Sequence, residues 1–226
     1  MNFSLALNKK QLNKLFIFLL VECWLCFLNP LVNEAMQIQN KGWVPDYDKR
    51  DQWQQPEKIL DSIGIKQGMT VADVGAGTGY LTLRIAKRVG EKGIVYATDI
   101  REGRINALKN KALKAGFENI ITLLSTETDT GLPRDTFDII IMLHVIHIVI
   151  KEQDPLAFLA NLKLALKPDG ILVIVHWDGP KMGYPEVEAY SQENVLKLFK
   201  DSGFTMVRTE TFLPRDTIFI LKPVCD

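Results

Sequence analysis

The sequence predicts an α/β domain: a doubly wound, mostly parallel seven-stranded sheet with helices on both faces. Apolar strand-like runs alternate with helix-like segments from Thr70 onward, the pattern of a parallel sheet with crossover helices. The runs FDIIIML and GILVIV are continuously apolar, as expected of strands covered on both sides. The stretch VADVGAGTGY, from Val71 to Tyr80, carries a glycine-rich turn straight after the first strand. Doubly wound sheets place ligands at that end of their strands.

The elements follow in order. Pro56 and the spacing of Ile59, Leu60 and Ile63 predict a short helix over 56–63, ended by Gly64 and Gly68. A strand over 70–74 leads through the glycine turn to a helix over 80–89. Then come a strand at 93–98, a helix at 103–115 closed by Gly116, and strands at 120–124 and 137–143. An amphipathic helix at 155–166, a central strand at 170–175 and a helix at 193–201 precede two late strands, 205–211 and 217–221.

Bulk numbers set the class. The chain has 226 residues, 47% hydrophobic and 24% charged, an ordinary globular balance. Lys+Arg and Asp+Glu are both 27, so no overall field favours nucleic acid, and no basic cluster with interleaved aromatics marks a groove for it. Three cysteines (Cys23, Cys26, Cys225) give no disulfide framework, and three histidines show no metal-ligand spacing. No metal is expected.

Residues 1–35 stand apart. Lys9, Lys10 and Lys14 precede an apolar run over residues 15–28, the layout of a secretory signal. The run is short for a spanning helix, which needs about 20 residues, and Glu22 interrupts it. Three readings stand: a cleaved signal giving an exported or periplasmic domain, a retained anchor with membrane contact through residues 15–28, or a cytoplasmic protein that truly starts at Met36. Residues 36–55 form a polar lead-in with Trp43, Tyr47 and Trp53, either a lid or a segment packed on the surface. Residues 56–226 form the domain.

The glycine turn narrows the ligand. Gly75, Gly77 and Gly79 follow GxGxG, and Tyr80 stands where a dinucleotide fold would need its third glycine. No Lys-Ser/Thr pair follows, which excludes a P-loop. Asp73, two residues before Gly75, suits a cationic ligand better than a pyrophosphate. Asp99 ends the second strand, where a carboxylate can accept from both hydroxyls of a ribose.

Four segments together, VADVGAGTGYLTLRIA, the acid of VYATDI, FDIIIMLHVIHI and LKPDGILVIVHWD, resemble the class I S-adenosylmethionine (SAM)-dependent methyltransferases. The likeness runs over about 56–223. Within that class, RDQWQQPEKIL, GLP and FLPRDTIFIL resemble bacterial methyltransferase-domain proteins of unassigned substrate. The resemblance implies a Rossmann-like methyltransferase fold with SAM as cofactor. It places Asp73 at the methionine ammonium, directly or through water. Gly75, Ala76 and Gly77, with Thr78, Gly79 and Tyr80 beyond them, close on methionine and ribose, and Asp99 holds the ribose hydroxyls. Ile100 covers adenine, Thr126 and Glu127 take its edge, and Leu143 and His144 line the sulfonium side. KPDG stands where relatives often carry Gly-Gly, a departure expected to be harmless.

Methyl transfer from SAM needs alignment and dryness more than a catalytic motif. A base is required only where the acceptor loses a proton. His144 and His147, after the fourth strand, are the candidates; each also has a bland reading, His144 as a cofactor contact and His147 as packing. His176, Trp177 and Asp178, after the fifth strand, are expected to line the pocket. With Trp53, Met182 and Tyr184 near the opening, the expected partner is a small-molecule or lipid-like acceptor. Two rivals remain: a non-catalytic SAM- or nucleoside-binding domain, and a nucleotide-dependent oxidoreductase, which Tyr80 and Asp73 count against. Oligomeric state is not legible.

Overall fold

A computed structural model describes residues 49–152, 154–184 and 191–224. The signal-like segment, Trp43, Tyr47, Cys225 and the far part of the 177–188 loop lie outside them. Seven strands form one sheet in the order β3-β2-β1-β4-β5-β7-β6. They are β1 (Thr70–Val74), β2 (Ile94–Asp99), β3 (Ile120–Leu124), β4 (Phe137–Leu143), β5 (Leu166–Trp177), β6 (Phe204–Glu210) and β7 (Asp216–Pro223). The first five run parallel. β7 is antiparallel to both β5 and β6.

Side-chain alternation divides the core between the two faces. Ala72, Val74, Ile140, Met142, Leu172, Ile174, Phe219 and Leu221 belong to one cluster. Val71, Ile139, Ile141, Val173, Val175, Ile218 and Ile220 belong to the other. On the second face lie α2 (Pro56–Ser62) and α3 (Thr82–Val89). Thr82, Ile85, Ala86 and Val89 make the buried stripe of α3, one face of a 3.6-residue period. α4 (Glu102–Lys114) sets Leu108 against Ala97 of β2. The first face is covered by α5 (Ile146–Val149), α6 (Pro155–Ala165) and α8 (Gln192–Asp201). Asp154 caps α6 by accepting from the Ala157 N–H, with Pro155 in the first turn, and Ser191 caps α8. Two short helices, α1 (Arg50–Gln54) and α7 (Gly179–Met182), were not legible as periodic segments.

Some boundaries differ from expectation for physical reasons. The helix expected from Tyr80 starts at Thr82, because Gly79 takes φ +90° and keeps Tyr80 and Leu81 in the turn. The strand expected from Gly170 starts at Leu166. Pairing with β4 shifts register between Phe137 and Ile139, so KPDG lies within the strand as an irregularity rather than before it.

Strand order places the ligand end. β1 pairs with β2 on one side and β4 on the other, which opens a crevice beyond their carboxyl ends. The turn after β1 and the segment after β4 meet there. Gly75 takes φ +74°, and a Cβ added to it would overlap the Val145 side chain. Gly77 takes φ +58° but has nothing within 4 Å of where its Cβ would be.

These two glycines respond differently to the same change. Gly75→Ala is expected to cost about 2–4 kcal/mol, combining left-handed strain with overpacking. Gly77→Ala is expected to cost about 1–2 kcal/mol, from strain alone. Urea unfolding of both variants checks the ordering.

Candidate active site

The two acids expected on the cofactor side, Asp73 and Asp99, sit at the ends of β1 and β2. Asp73 is buried and its Oδ2 accepts from the Thr82 hydroxyl at 2.6 Å, which ties the start of α3 to the end of β1. Burial pushes its carboxyl up to about 6, against the lowering effects of the Thr82 hydrogen bond and the Arg50 charge. Asp99 is 3% exposed. Its Oδ2 accepts from the Gly77 N–H at 3.0 Å and its Oδ1 from the Arg101 N–H at 2.9 Å. The Arg104 guanidinium stands 3.5 Å from Oδ2, so the carboxylate is held from three sides, and Oδ1 keeps a second lone-pair direction.

Helix α1 clasps both halves of this face. At one end Asp51 accepts from the Tyr80 hydroxyl and from Arg84, both at 2.7 Å. The Arg50 guanidinium lies 3.6 Å from the centroid of the Tyr80 ring, a cation–π contact. Burial and the Asp51 hydrogen bond push the Tyr80 phenol well above its usual range. At the other end Trp53 stacks on His144, centroids 6.3 Å apart and planes at 13°. Gln54, fully buried, donates from Nε2 to Asp216 Oδ2 at 2.9 Å.

All three histidines of the chain gather at the carboxyl ends of β4 and β5. The Trp177 ring lies 4.7 Å from His144 and 4.8 Å from His147, and His147 stands 6.4 Å from His176. The surroundings of the three differ. His147 is pushed down to about 4, by burial first and then by His144 and Lys151. His176 is fully buried and pushed down to about 3, again by burial first, then by His147 and His144. Both are therefore neutral aromatic rings at physiological pH. His144 alone has a carboxylate on the ring: its Nε2 lies 2.8 Å from Asp216 Oδ1. Its backbone takes φ +58°, a strained conformation for a residue with a side chain.

The antiparallel β7 explains why Asp216 is present. Its first residue pairs with Trp177, the last of β5, so β7 begins at the ligand end. Lys181 donates from Nζ to the carbonyls of Thr211, Leu213 and Asp216, which fixes the turn that delivers it.

Residues 65–211 match the family model described as "Methyltransferase domain", well over half of the chain.

The chain belongs to this methyltransferase family.

A SAM-dependent methyltransferase from Aquifex aeolicus, known as a crystal structure, is 35% identical, with a TM-score of 0.69. The match covers 76% of this chain and 92% of that one. The ubiquinone/menaquinone biosynthesis C-methyltransferase UbiE of Vibrio vulnificus is 30% identical over 122 residues, 54% of this chain and 46% of the relative. The chain thus spans about half the length of the curated relatives it matches. Geranyl diphosphate C-methyltransferase from Streptomyces coelicolor A3(2) shares the fold, with a TM-score of 0.61 at 13% identity. The protein is a SAM-dependent methyltransferase, and SAM is its cofactor.

The methyltransferase site fits that cofactor by its shape: buried acids end β1 and β2, and the Gly77 position opens onto free space. Gly79 is instead packed, since a Cβ there would overlap Leu108. Ile100 is half exposed beside Asp99, and Leu143 is half buried at the end of β4. Thr78 lends its carbonyl and hydroxyl to Lys111. Thr126 and Glu127 are exposed, and Thr126 forms a local turn with Asp129 through both its N–H and its hydroxyl. Two expectations change. His176, expected to line the pocket, is wholly buried behind it. Asp178 instead accepts from Gln192 and Thr217 at 3.0 and 2.8 Å and caps α7, so its oxygens serve the framework. Sequence reasoning missed Gln54 and Asp216. Both looked like ordinary polar residues at element ends, and only the antiparallel pairing of β7 brings them together. Among the described residues no group of three or more His, Cys, Asp or Glu side chains is placed to hold a metal ion. Among them, too, no helix is long and apolar enough to cross a membrane.

The histidine cluster sets a pH dependence. His147 and His176 have depressed folded values against a usual 6.5. Unfolding therefore takes up protons below that pH, and stability falls as pH falls. Asp73, raised to about 6 from 3.8, opposes this in part, because its protonated form is favoured in the folded state. Two histidines against one acid leave a net loss from these three groups of about 1.4 kcal/mol per pH unit between about pH 6 and 4. His176→Phe removes one of the two contributions and is expected to flatten that slope, measured by urea unfolding across the pH range.

Proposed function

We propose that this methyltransferase methylates a ring carbon of a small, flat, hydroxylated aromatic acceptor with an apolar substituent. The observation that carries this reading is the aromatic wall of Trp53, His144 and Trp177 at the crevice. Aromatic faces of this kind receive flat rings by stacking. Relatives named for C-methylation in ubiquinone and menaquinone biosynthesis support an acceptor of hydroquinone type. Trp53 stacks on His144 and carries the Arg215 guanidinium 4.7 Å from its ring centroid, so the wall combines aromatic surface with one cation.

The same reading assigns the cofactor contacts. Asp73 meets the methionine ammonium, and the backbone of Gly75, Ala76, Gly77 and Thr78 closes on the methionine and ribose. Asp99 holds the ribose hydroxyls and Ile100 covers the adenine. Leu143 and His144 line the methyl side. Tyr80 acts indirectly, holding α1 over the turn through Asp51 and Arg50. When bound, SAM supplies an electrophilic methyl group and takes the bonding pair onto sulfur as a neutral thioether. The chain's part is to align the acceptor and keep water out.

Three measurements on the purified chain test this reading. Calorimetric titration with SAM is expected to show binding that Asp99→Ala loses, and that Gly77→Ala loses while remaining folded. SAM affinity is expected to fall as pH drops below about 6, by up to about tenfold per unit, because the neutral Asp73 acid no longer pairs with an ammonium. Binding near that pH is then accompanied by proton release, read from titrations in buffers of different ionisation enthalpy. Incubation with radiolabelled SAM and reduced 1,4-naphthoquinone is expected to yield a ring-methylated product. Labelling of oxygen, or none across a panel of hydroquinones, would refute the acceptor assignment.

A further inference from the structure

We infer that Asp216, anchored by Gln54, is a positioning residue that holds His144 with its proton on Nε2 and leaves Nδ1 as the proton-accepting atom of the reaction. This deepens the acceptor reading above and rests on it for the identity of the proton donor.

Asp216 is fully buried and lies 2.8 Å from His144 Nε2 through Oδ1 and 2.9 Å from Gln54 Nε2 through Oδ2. A buried carboxylate is stabilised by a donor on each oxygen. Gln54 supplies one through its amide N–H, so the imidazole supplies the other from Nε2–H. In neutral imidazole the second nitrogen then carries the lone pair. The His144 side chain keeps 11% of its surface while Asp216 keeps none. The Nε2 edge of the ring faces the buried carboxylate.

Three features hold this arrangement. The left-handed backbone of His144 stands the ring at the end of β4, with its N–H bonded to the Val175 carbonyl at 2.9 Å. Trp53 and Trp177 contact the ring. Lys181 bonds the Asp216 carbonyl at 2.8 Å, which fixes the backbone that carries the acid. The Gln54 Oε1, also buried, has no hydrogen-bond partner among the described residues.

The proton balance is simple. The acceptor's ring hydroxyl gives its proton to His144 Nδ1, and the O–H electron pair stays with the acceptor. That pair, delocalised into the ring, supplies the new carbon–methyl bond. The imidazolium keeps its Nε2–H on Asp216, whose charge stabilises it. The ring C–H proton lost on rearomatisation restores the hydroxyl, and the imidazolium proton passes to solvent. His147, pushed down to about 4 by burial, is too weak a base for the same task at neutral pH.

The test reads tautomer and rate separately. With only three histidines in the chain, long-range ¹H–¹⁵N spectra of the full-length protein resolve each ring. His144 is expected as the Nε2–H tautomer in the resting protein. Asp216→Leu is expected to release it into a mixture of both tautomers. With reduced 1,4-naphthoquinone as acceptor, Asp216→Asn is expected to lower kcat about 100-fold or more, with KM and SAM affinity unchanged. Gln54→Met, which leaves Asp216 in place, is expected to lower kcat by a smaller factor and serves if the Asp216 variants do not fold. An Nδ1–H tautomer in the wild type overturns the proposal. So does a kcat that neither Asp216→Asn nor Gln54→Met changes. Failure of the wild type to methylate that hydroquinone counts against the acceptor reading instead, and the tautomer spectra still decide the role of Asp216.

Discussion

The contact between Gly75 and Val145 constrains everything on the ligand face. A side chain at position 75 would occupy the space of Val145, so the turn after β1 and the segment after β4 close on each other without a gap. The two strands are themselves neighbours in the sheet. The acids that end β1 and β2 and the aromatic residues after β4 are therefore held at one fixed separation. Methyl transfer has little covalent chemistry for the protein to perform, and its rate depends on that separation and alignment. The close packing of the Val145 side chain on the Gly75 backbone supplies what a flexible loop could not.

Helix α1 completes the arrangement from the opposite side. Its five residues form contacts in two directions: Arg50 and Asp51 to Tyr80 and Arg84, Trp53 and Gln54 to His144 and Asp216. So short a helix has little stability alone, and these side-chain contacts hold it in place. The site is also dry. Asp73, Asp99, Asp216 and His176 are each no more than 3% exposed, and His176 and His147 stay neutral because of it. Electrostatic interactions in such a space act at greater strength than in water.

The sequence carried the architecture well because the architecture is a matter of period and punctuation. β1, β3 and β4 begin and end where their apolar runs do, and Gly75, Gly77 and Gly79 all take positive φ. Local signals were weaker where tertiary contacts decide. Tyr80 looked like the first residue of a helix, yet Gly79 and the Thr82–Asp73 hydrogen bond move that start two residues on. The KPDG segment looked like a turn before a strand, yet it lies inside one, as an unpaired irregularity between Leu166 and Ile171. α1 was invisible because no apolar period marks five residues.

The site was half legible for a related reason. Acids that end β1 and β2 announce themselves by position, since the glycine turn fixes which end of the sheet is used. His144 and His147 were likewise placed at the right end, but nothing in HVIHIVI separates them. What separates them is Asp216, seventy-two residues on in the chain. That carboxylate sits beside His144 because β7 runs antiparallel to β5 and begins where β5 ends. A seventh parallel strand would have put its first residue at the far edge of the sheet. The reversal of one strand thus converts two similar histidines into different groups: one an inert ring packed on Trp177, the other an imidazole with a carboxylate on its buried nitrogen.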